Sequence, residues 1–362
     1  MPETFSMNGG DGPHSYTKNS CYQREVVDAA KDMIIGAIAE KLDIENPTLN
    51  CSNPIRIADL GCSVGPNTFI AMQNIIEAVE HKYQSLQLQN PPRSSPEFQV
   101  FFNDHASNDF NTLFISLPPS GGRQYFAAGV PGSFHGRLFP RATLHIAHSS
   151  YALHWLSMVP EEVVDRNSPA WNKGKVHYTG NETVLEAYSA QYKRDMEVFL
   201  SARAQEIVSG GLLLLLIPGC HDGVLPSETG TSMLFGLFGS CLMDMAKMGM
   251  ISEEKVDSFN LPLYHTSPHE LKESIETNGY FNIERMDFFT PHTPPDSPDC
   301  EILALHLRAA IEGLITEHFG TDQIIEELFE RYAKKMEENL FVFDVKYRKE
   351  FVIFACLKRK NN

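Results

Sequence analysis

The sequence predicts an α/β fold: a doubly wound sheet with helices on both faces and an added α-helical cap. Short apolar runs alternate along the chain with stretches of helical periodicity, which is the pattern of such sheets. Residues 212–217 are apolar throughout, as expected for a central parallel strand covered on both faces. At 362 residues the chain exceeds the size at which one core usually keeps growing, so we expect a large α/β domain with a cap.

The predicted elements follow one another in order along this sheet. A helix is expected at residues 20–42, a second follows the first strand and ends near residue 84, and a third covers 188–208. The seven predicted strands lie at residues 55–60, 98–102, 125–128, 143–148, 212–217, 281–289 and 350–357.

Three segments, at about 156–182, 222–278 and 292–345, do not fit the alternation. Ligands of doubly wound sheets bind outside the carboxyl ends of the strands, so we expect the last two segments to cap that edge. The predicted organisation is a ligand-binding α/β domain with an N-terminal lid at 1–220, cap parts at 221–278 and 292–345, a sheet strand at 279–291, and the last strand and tail at 346–362.

Charge and cysteine content exclude several classes of protein. The chain has 30 Lys and Arg against 46 Asp and Glu, a net charge of −16, which repels nucleic acid and anionic lipid. Its 7 cysteines include no C-x-x-C pair, which argues against a zinc site or a disulfide scaffold. The chain begins without the apolar core of a signal peptide, and its most apolar run is too short to span a membrane. We therefore expect a cytoplasmic protein with neither a nucleic-acid nor a membrane partner.

A glycine turn follows the first predicted strand. Residues 59–65 have the pattern D-x-G-x-x-x-G, and a helical pattern begins directly after them. The dinucleotide fingerprint needs a glycine where Ser63 stands, which argues against a nicotinamide oxidoreductase. The spacing suits a ligand without a pyrophosphate, such as S-adenosylmethionine, although an ordinary turn between a strand and a helix would have the same pattern.

Acidic residues end the first two strands. Asp59 closes the first strand and Asp104 the second. A carboxylate after the second strand of such a sheet can accept hydrogen bonds from both ribose hydroxyls of a nucleoside. The alternative is that each carboxylate caps a helix or a turn.

Six blocks of sequence resemble the plant SABATH methyltransferases, in the same order and over nearly the whole chain. The blocks are residues 15–23, 59–67, 103–111, 129–134, 149–157 and 257–262. The resemblance implies a Rossmann-like class I methyltransferase sheet that binds S-adenosylmethionine. It also implies methylation of the carboxyl group of a small plant acid, such as salicylate, benzoate, jasmonate or an iridoid or terpenoid acid. A caffeine branch of the family methylates xanthine nitrogens instead.

The resemblance further implies roles for individual residues. The positions that match those holding S-adenosylmethionine are Tyr16, Asp59, Cys62, Asn67, Asp104, His105, Ser133 and Phe134. Gln23 and Trp155 match the pair of residues that binds the acceptor carboxylate. Tyr151 and His154 match pocket positions beside that pair.

Gln23 and Trp155 also have alternative interpretations. Ser20 and Gln23 have the spacing of a capping box, in which the glutamine side chain binds the N-cap amide of a helix. Trp155 would by default be a core aromatic residue, whose N–H needs a partner when it is buried.

A magnesium position recorded in some family members also has a match. The matching residues are Asn172, Asp257, Phe259 and Asn260. Oxygen ligands suit a hard cation, whose role here would be structural. The alternative is a loop held by ordinary Asx hydrogen bonds. A homodimer is implied by the resemblance alone.

The cap is expected to line the acceptor pocket, with Phe235 and Leu263 as apolar residues and His306 as a polar one. Residues 260–265 are most similar in sequence to the branch of the family that acts on an iridoid glucoside. Phe235 and Leu263 offer no partners to sugar hydroxyls, which favours a less polar acid, terpenoid or aromatic. The sequence leaves the identity of the acid open.

The expected mechanism needs no general base. A carboxylic acid has a pKa of about 4, so at pH 7 the acceptor is already the anionic nucleophile. The protein would hold its oxygen roughly 3 Å from the methyl group and in line with the departing sulfur. Two other functions stay open on the same fold: N-methylation of a xanthine-type acceptor, and S-adenosylmethionine binding without catalysis.

Overall fold

The computed structural model describes residues 6–44, 54–87, 96–119, 121–179, 181–291, 298–320 and 322–361. The predicted start of the second cap part, at residue 292, lies outside these ranges, as do both chain ends. No helix in these ranges combines the length and the apolar content that crossing a bilayer requires.

A seven-stranded sheet forms the centre of the described chain, as predicted. Its strands are β1 Ile55–Leu60, β2 Phe98–Asp104, β3 Tyr125–Pro131, β4 Leu144–Ser150, β5 Ile207–Cys220, β6 Phe281–Phe289 and β7 Glu350–Arg359. Their order across the sheet is β3-β2-β1-β4-β5-β7-β6. Strands β1 to β5 pair in parallel, whereas β7 runs antiparallel to both of its neighbours. The start of β7 therefore lies at the edge where the parallel strands end.

Ten helices surround the sheet in the described ranges. They are α1 Cys21–Lys41, α2 Pro66–Gln87, α3 Phe110–Ile115, α4 Glu161–Val164, α5 Glu182–Glu206, α6 Gly230–Lys247, α7 Glu253–Ser258, α8 Pro268–Asn278, α9 Cys300–Phe319 and α10 Asp322–Glu337. The helix predicted at 188–208 begins six residues earlier, at Glu182, and its N-cap is Asn181, whose side chain accepts a hydrogen bond from Thr183 N.

The apolar run of β5 is buried on both faces because strand side chains alternate. Leu212 and Leu214 pack with α1 and α2 on one face, and Leu213 and Leu215 pack with α5 on the other. Helices α6, α7, α9 and α10 share a separate apolar core, which is the cap. Helix α8 falls in the segment assigned to the cap from sequence, but its Leu271 packs with the sheet.

Gly61 closes the end of β1 in a conformation that favours glycine. Its φ is +82°, and a Cβ there would lie 2.5 Å from the Cβ of Ala152, which follows β4. The amides of Gly61 and Cys62 both donate to Asn103 O at 2.9 Å. The turn after β1 is thus held between the ends of its two neighbours, β2 and β4.

A buried ion pair fixes the loop that follows β3. Arg203 and Glu206 at the end of α5 are fully buried, with Arg203 Nε 2.7 Å from Glu206 Oε2. The guanidinium also donates to the carbonyls of Phe134 at 2.6 Å and Gly136 at 2.8 Å. Glu206 Oε1 accepts from Phe139 N at 3.0 Å. Both members of the pair therefore bind the backbone of the loop, whose conformation depends on them.

Removing the cation of this pair is predicted to destabilise the protein strongly. Arg203→Ala leaves Glu206 buried without a counter-ion, and breaking a buried pair in this way costs about 3–5 kcal/mol of unfolding free energy. Urea denaturation followed by circular dichroism measures the effect. Lys193→Ala is the control, because its pair with Glu273 is exposed and should contribute little. Equal stability of the two variants would contradict the prediction.

Candidate active site

A cavity of about 320 Å³ runs along the carboxyl edge of the sheet, beneath the cap. Its walls come from the ends of β1, β2, β4 and β5, the start of β7, the N-terminal segment, α1 and the cap helices. We call the part beside β1 and β2 the nucleotide end, lined by Gly61, Ser63, Asp104, His105 and Phe134. The acceptor end, beside β4, is lined by Gln23, Tyr151, His154, Trp155 and His306.

Asp104 is held rigidly at the nucleotide end. Its Oδ2 accepts from Ser63 N at 2.7 Å and its Oδ1 accepts from His105 N at 2.8 Å. Burial raises the pKa of Asp104, and the two backbone amides oppose that shift. Each carboxylate oxygen keeps further acceptor capacity, so the side chain can receive two hydroxyl donors from the cavity.

Aromatic and phenolic groups complete this end. Phe134 and His105 line the cavity with ring centroids 6.4 Å apart, which leaves a face for a flat base. Tyr16 also lines the cavity, and burial raises the pKa of its hydroxyl, which therefore stays neutral. The segment that carries Tyr16 is tied to the cap, since Asn8 N donates to Ala309 O at 2.9 Å.

Asp59 does not line the cavity. Its carboxylate is buried behind the turn, where Oδ1 lies 2.7 Å from His148 Nδ1 and Oδ2 accepts from the Thr68 hydroxyl. The structure therefore gives this strand-end acid a supporting contact between β1, β4 and α2, and its contact with the cofactor stays a prediction.

Three other predicted cofactor residues also lie outside the cavity wall. Asn67 Nδ2 donates to the carbonyl and hydroxyl oxygens of Ser20, at 3.1 and 3.0 Å, and so ties α2 to the start of α1. Ser133 Oγ accepts from His135 N at 3.3 Å, and Cys62 is buried in the sheet core. Cys62 and Ser133 are next in sequence to residues that line the cavity, namely Gly61, Ser63 and Phe134.

Gln23 projects into the acceptor end instead of capping α1. Ser20 makes no side-chain cap hydrogen bond, so the capping-box alternative is not formed. Gln23 Nε2 lies 3.2 Å from His306 Nε2, and since an amide nitrogen can only donate, the imidazole nitrogen accepts. Burial lowers the pKa of His306 to about 4, so this imidazole is neutral. The second N–H of Gln23 is left for a ligand.

Backbone pairing with the cap positions Trp155. It forms an isolated antiparallel bridge with Leu263, and the flanking amides of Leu156 and Tyr264 each donate across it, to Pro262 O and His154 O at 2.8 Å. These hydrogen bonds join the chain after β4 to the cap loop that contains Leu263.

Tyr151 adopts a left-handed conformation at the end of β4, with a φ of +53°. This conformation is costly for a bulky residue and persists when its surroundings hold it. Its hydroxyl donates to the Tyr22 hydroxyl at 3.2 Å, and burial raises the pKa of both phenols. The pair forms a neutral polar wall beside Gln23.

All seven residues predicted to contact the acceptor line the cavity. They are Gln23, Tyr151, His154, Trp155, Phe235, Leu263 and His306. Sequence reasoning missed Glu350, Phe351, Thr231 and His265, which line it as well. No local sequence pattern signalled Glu350 and Phe351, because they reach the ligand edge only through the antiparallel direction of β7, which long-range pairing sets.

The predicted magnesium residues do not form a cation site. Asn172 Nδ2 donates to Asn260 Oδ1 at 2.7 Å and to His177 O at 3.0 Å, so ordinary side-chain hydrogen bonds hold these two amides. Phe259 packs in the cap core, and Asp257 belongs to α7. The described ranges also contain no group of three or more His, Cys, Asp or Glu side chains that could bind a metal. These residues form the Asx-bonded loop that was the alternative, and magnesium has no support.

Known proteins match this chain over its whole length. The model of a family described as SAM dependent carboxyl methyltransferase matches residues 2–360. Loganic acid O-methyltransferase of Catharanthus roseus is 54% identical, over 99% of this chain and 95% of the relative. Farnesoic acid carboxyl-O-methyltransferase of Arabidopsis thaliana is 46% identical, over 94% of each chain. Paraxanthine methyltransferase 2 of the same plant is 43% identical, over 93% of this chain and 94% of the relative.

A solved structure of loganic acid methyltransferase with SAH superimposes with a TM-score of 0.93, covering 98% of this chain and 99% of that one. This match confirms the predicted class I methyltransferase fold. The full-length family match and the close relatives together show that the chain belongs to the S-adenosylmethionine-dependent carboxyl methyltransferases.

Proposed function

We propose that this enzyme transfers the methyl group of S-adenosylmethionine to the carboxylate of a small plant acid through the cavity described above. The observation that carries the proposal is the continuity of that cavity, from Asp104 at the nucleotide end to Gln23 and Trp155 at the acceptor end. Donor and acceptor can therefore meet beneath one cap.

The groups around the acceptor suit an anion that is already a nucleophile. No Lys or Arg is among the described residues that line the cavity. Gln23 and Trp155 are neutral donors, which orient a carboxylate oxygen without the strong stabilisation that an ion pair would give. Burial holds the pKa of His154 well below its usual range, so that residue is a poor base. Positioning is thus the main contribution of the acceptor end.

The nucleotide end has the donors and acceptors that the cofactor needs. When bound, S-adenosylmethionine supplies a methyl group on a positively charged sulfur. Asp104 would accept the ribose hydroxyls, and Phe134 and His105 would flank the adenine. Gly61 keeps the end of β1 free of a side chain beside Ala152, where the two ends of the cavity meet.

Two relatives indicate which acids to test first. The relatives at 54% and 46% identity are named for loganic acid and farnesoic acid. These two acids should be tested first, within a panel of aromatic and terpenoid acids. Purified enzyme with labelled S-adenosylmethionine should form a methyl ester of at least one acid. If the enzyme methylated xanthines but no acid, the N-methyltransferase alternative would be favoured instead. A relative named for paraxanthine is the reason to include xanthines in the test. Cofactor binding without turnover on either class would favour a non-catalytic protein.

Two further properties are proposed, the first from the family resemblance and the second from the scattered cysteines. We expect a homodimer, which light scattering coupled to size-exclusion chromatography measures, and a cytoplasmic location, which a fluorescent fusion tests.

Loss of the Gln23 amide should impair use of the acceptor. Gln23→Ala removes a neutral donor to a charged oxygen, a contact of about 1.5–3 kcal/mol, so kcat/KM for an acid should fall roughly 10- to 150-fold. Cofactor Kd should change little. Gln205→Ala, an exposed glutamine on α5, is the control. An unchanged kcat/KM, or a loss confined to cofactor affinity, would remove Gln23 from the acceptor site.

Loss of the Asp104 carboxylate should weaken the cofactor. Asp104→Ala removes a charged acceptor for two hydroxyls, so the Kd measured by calorimetry should rise by the equivalent of about 1.5–3 kcal/mol. Asp32→Ala, an exposed aspartate on α1, controls for the change in net charge. If both variants bound the cofactor equally well, the ribose assignment would be wrong.

The pH profile should be flat around neutrality. The acceptor carboxyl group has a pKa of about 4, and burial lowers the pKa of His306 to about 4, so both lose their protons well below pH 6. Burial also raises the pKa of the Tyr22 and Tyr151 phenols, which stay protonated through pH 9. Initial rates should therefore give a constant kcat/KM from about pH 6 to 9. An inflection near pH 7 would reveal a general base.

A further inference from the structure

Glu350 brings a carboxylate into the cavity at the end farthest from the cofactor residues. It is the first residue of β7 and pairs with Cys220, the last residue of β5. Its Oε1 accepts from Thr231 N at 3.0 Å, at the start of α6. No donor from the described part of the chain is bonded to Oε2, and the residue lines the cavity.

Polar groups accompany this carboxylate. Thr231 and His265 line the same region, and His154 lies against His265 with ring centroids 6.0 Å apart. The Nδ1 atom of His154 is buried and has no hydrogen-bond partner among the described residues, although the side chain lines the cavity. A second cavity of about 440 Å³ shares His265 and Glu350 as its wall, so the polar region continues behind them.

The charge of Glu350 acts on the cavity. Burial lowers the pKa of His265, and the negative charge of Glu350 opposes that shift. The same charge adds to burial in raising the pKa of Tyr22 and Tyr151, which stand at the acceptor end. No lysine or arginine lines this cavity among the described residues, and Lys193, which lines the second cavity, is already paired with Glu273 at 3.0 Å.

We propose that Glu350 determines acceptor specificity: it accepts a hydrogen bond from a hydroxyl at the far end of the acid and excludes acids that carry a second carboxylate. This inference rests on the proposed carboxyl methylation. An uncharged hydroxyl can donate to Glu350 and accept from a neutral imidazole. A carboxylate at the same place would face a like charge without a counter-ion, which is a strong repulsive element against the wrong substrate.

Sheet geometry sets the length of such an acceptor. The reacting carboxylate is expected beside the end of β4, and Glu350 lies two strands away, beyond β5. Neighbouring strands are about 4.8 Å apart, so the carboxylate and the distal hydroxyl should be separated by about 10 Å. Phe235 and Leu263 line the cavity as well and suit an apolar body between them. The less polar acid expected from these two residues is therefore revised to one with an apolar middle and a hydroxylated end.

The test compares three series of straight-chain acids of six to twelve carbons: alkanoic acids, ω-hydroxyalkanoic acids and α,ω-dicarboxylic acids. Methyl transfer, or competition against an acid that the wild-type enzyme methylates, gives the relative specificity for each length. In the wild-type enzyme, an ω-hydroxy acid near the predicted length should be preferred at least tenfold over the diacid and should exceed its alkanoic counterpart.

Glu350→Gln keeps the shape of the side chain and its acceptor for Thr231 N but removes the charge. The preference for the ω-hydroxy acid over the diacid should fall at least tenfold in this variant. Glu276→Gln, an exposed glutamate on α8 paired with Lys272, is the matched control and should keep the wild-type preference.

The outcomes separate the two proposals. If the wild-type enzyme methylates no acid, the proposed function fails. If it methylates acids but Glu350→Gln keeps the wild-type preference, or the wild-type enzyme shows no preference for the hydroxy acid, the role of Glu350 alone is overturned. The wild-type comparison decides even if the variant is unstable.

Discussion

The close contact between Gly61 and Ala152 is the constraint on which the cavity depends. These residues follow β1 and β4, which are neighbours in the sheet, and a Cβ at Gly61 would come within 2.5 Å of that of Ala152. Residues that follow β1 and β2 build the nucleotide end, and residues that follow β4 build the acceptor end. The contact therefore brings the two ends of a methyl transfer to adjacent strands, with no side chain from Gly61 between them.

Around this contact, the protein supports the site with buried groups that do not line the cavity. Asp59 joins the turn after β1 to His148 of β4 and to Thr68 of α2. Arg203 and Glu206 fix the loop that carries Phe134. The carboxylates of Asp59 and Glu206 are buried, and both oxygens of each are hydrogen-bonded. Removing their partners would cost folding free energy, so these groups are suited to hold a backbone in place. A strand-end acid can thus serve a binding site by supporting its wall.

The electrostatic character of the cavity fits chemistry in which the acceptor brings its own negative charge. The histidines at the acceptor end are kept neutral by burial, and the tyrosines are kept protonated. Glu350 is the carboxylate at one end and Asp104 the carboxylate at the other. An anionic acid must therefore place its reacting group between them, at the neutral donors.

The sequence by itself determined the sheet, because the apolar runs and helical periodicities are local signals that tertiary packing did not override. Short apolar runs predicted all seven strands, the ordered motifs identified the family, and the residues predicted to contact the acceptor, from Gln23 to His306, all line the cavity. Side-chain direction was decided only by the tertiary structure. Asp59 and Asp104 have the same place at the ends of neighbouring strands, yet one faces the protein interior and the other the cavity. Glu350 reached the ligand edge because β7 runs antiparallel, and strand direction is set by long-range pairing that no local pattern contains.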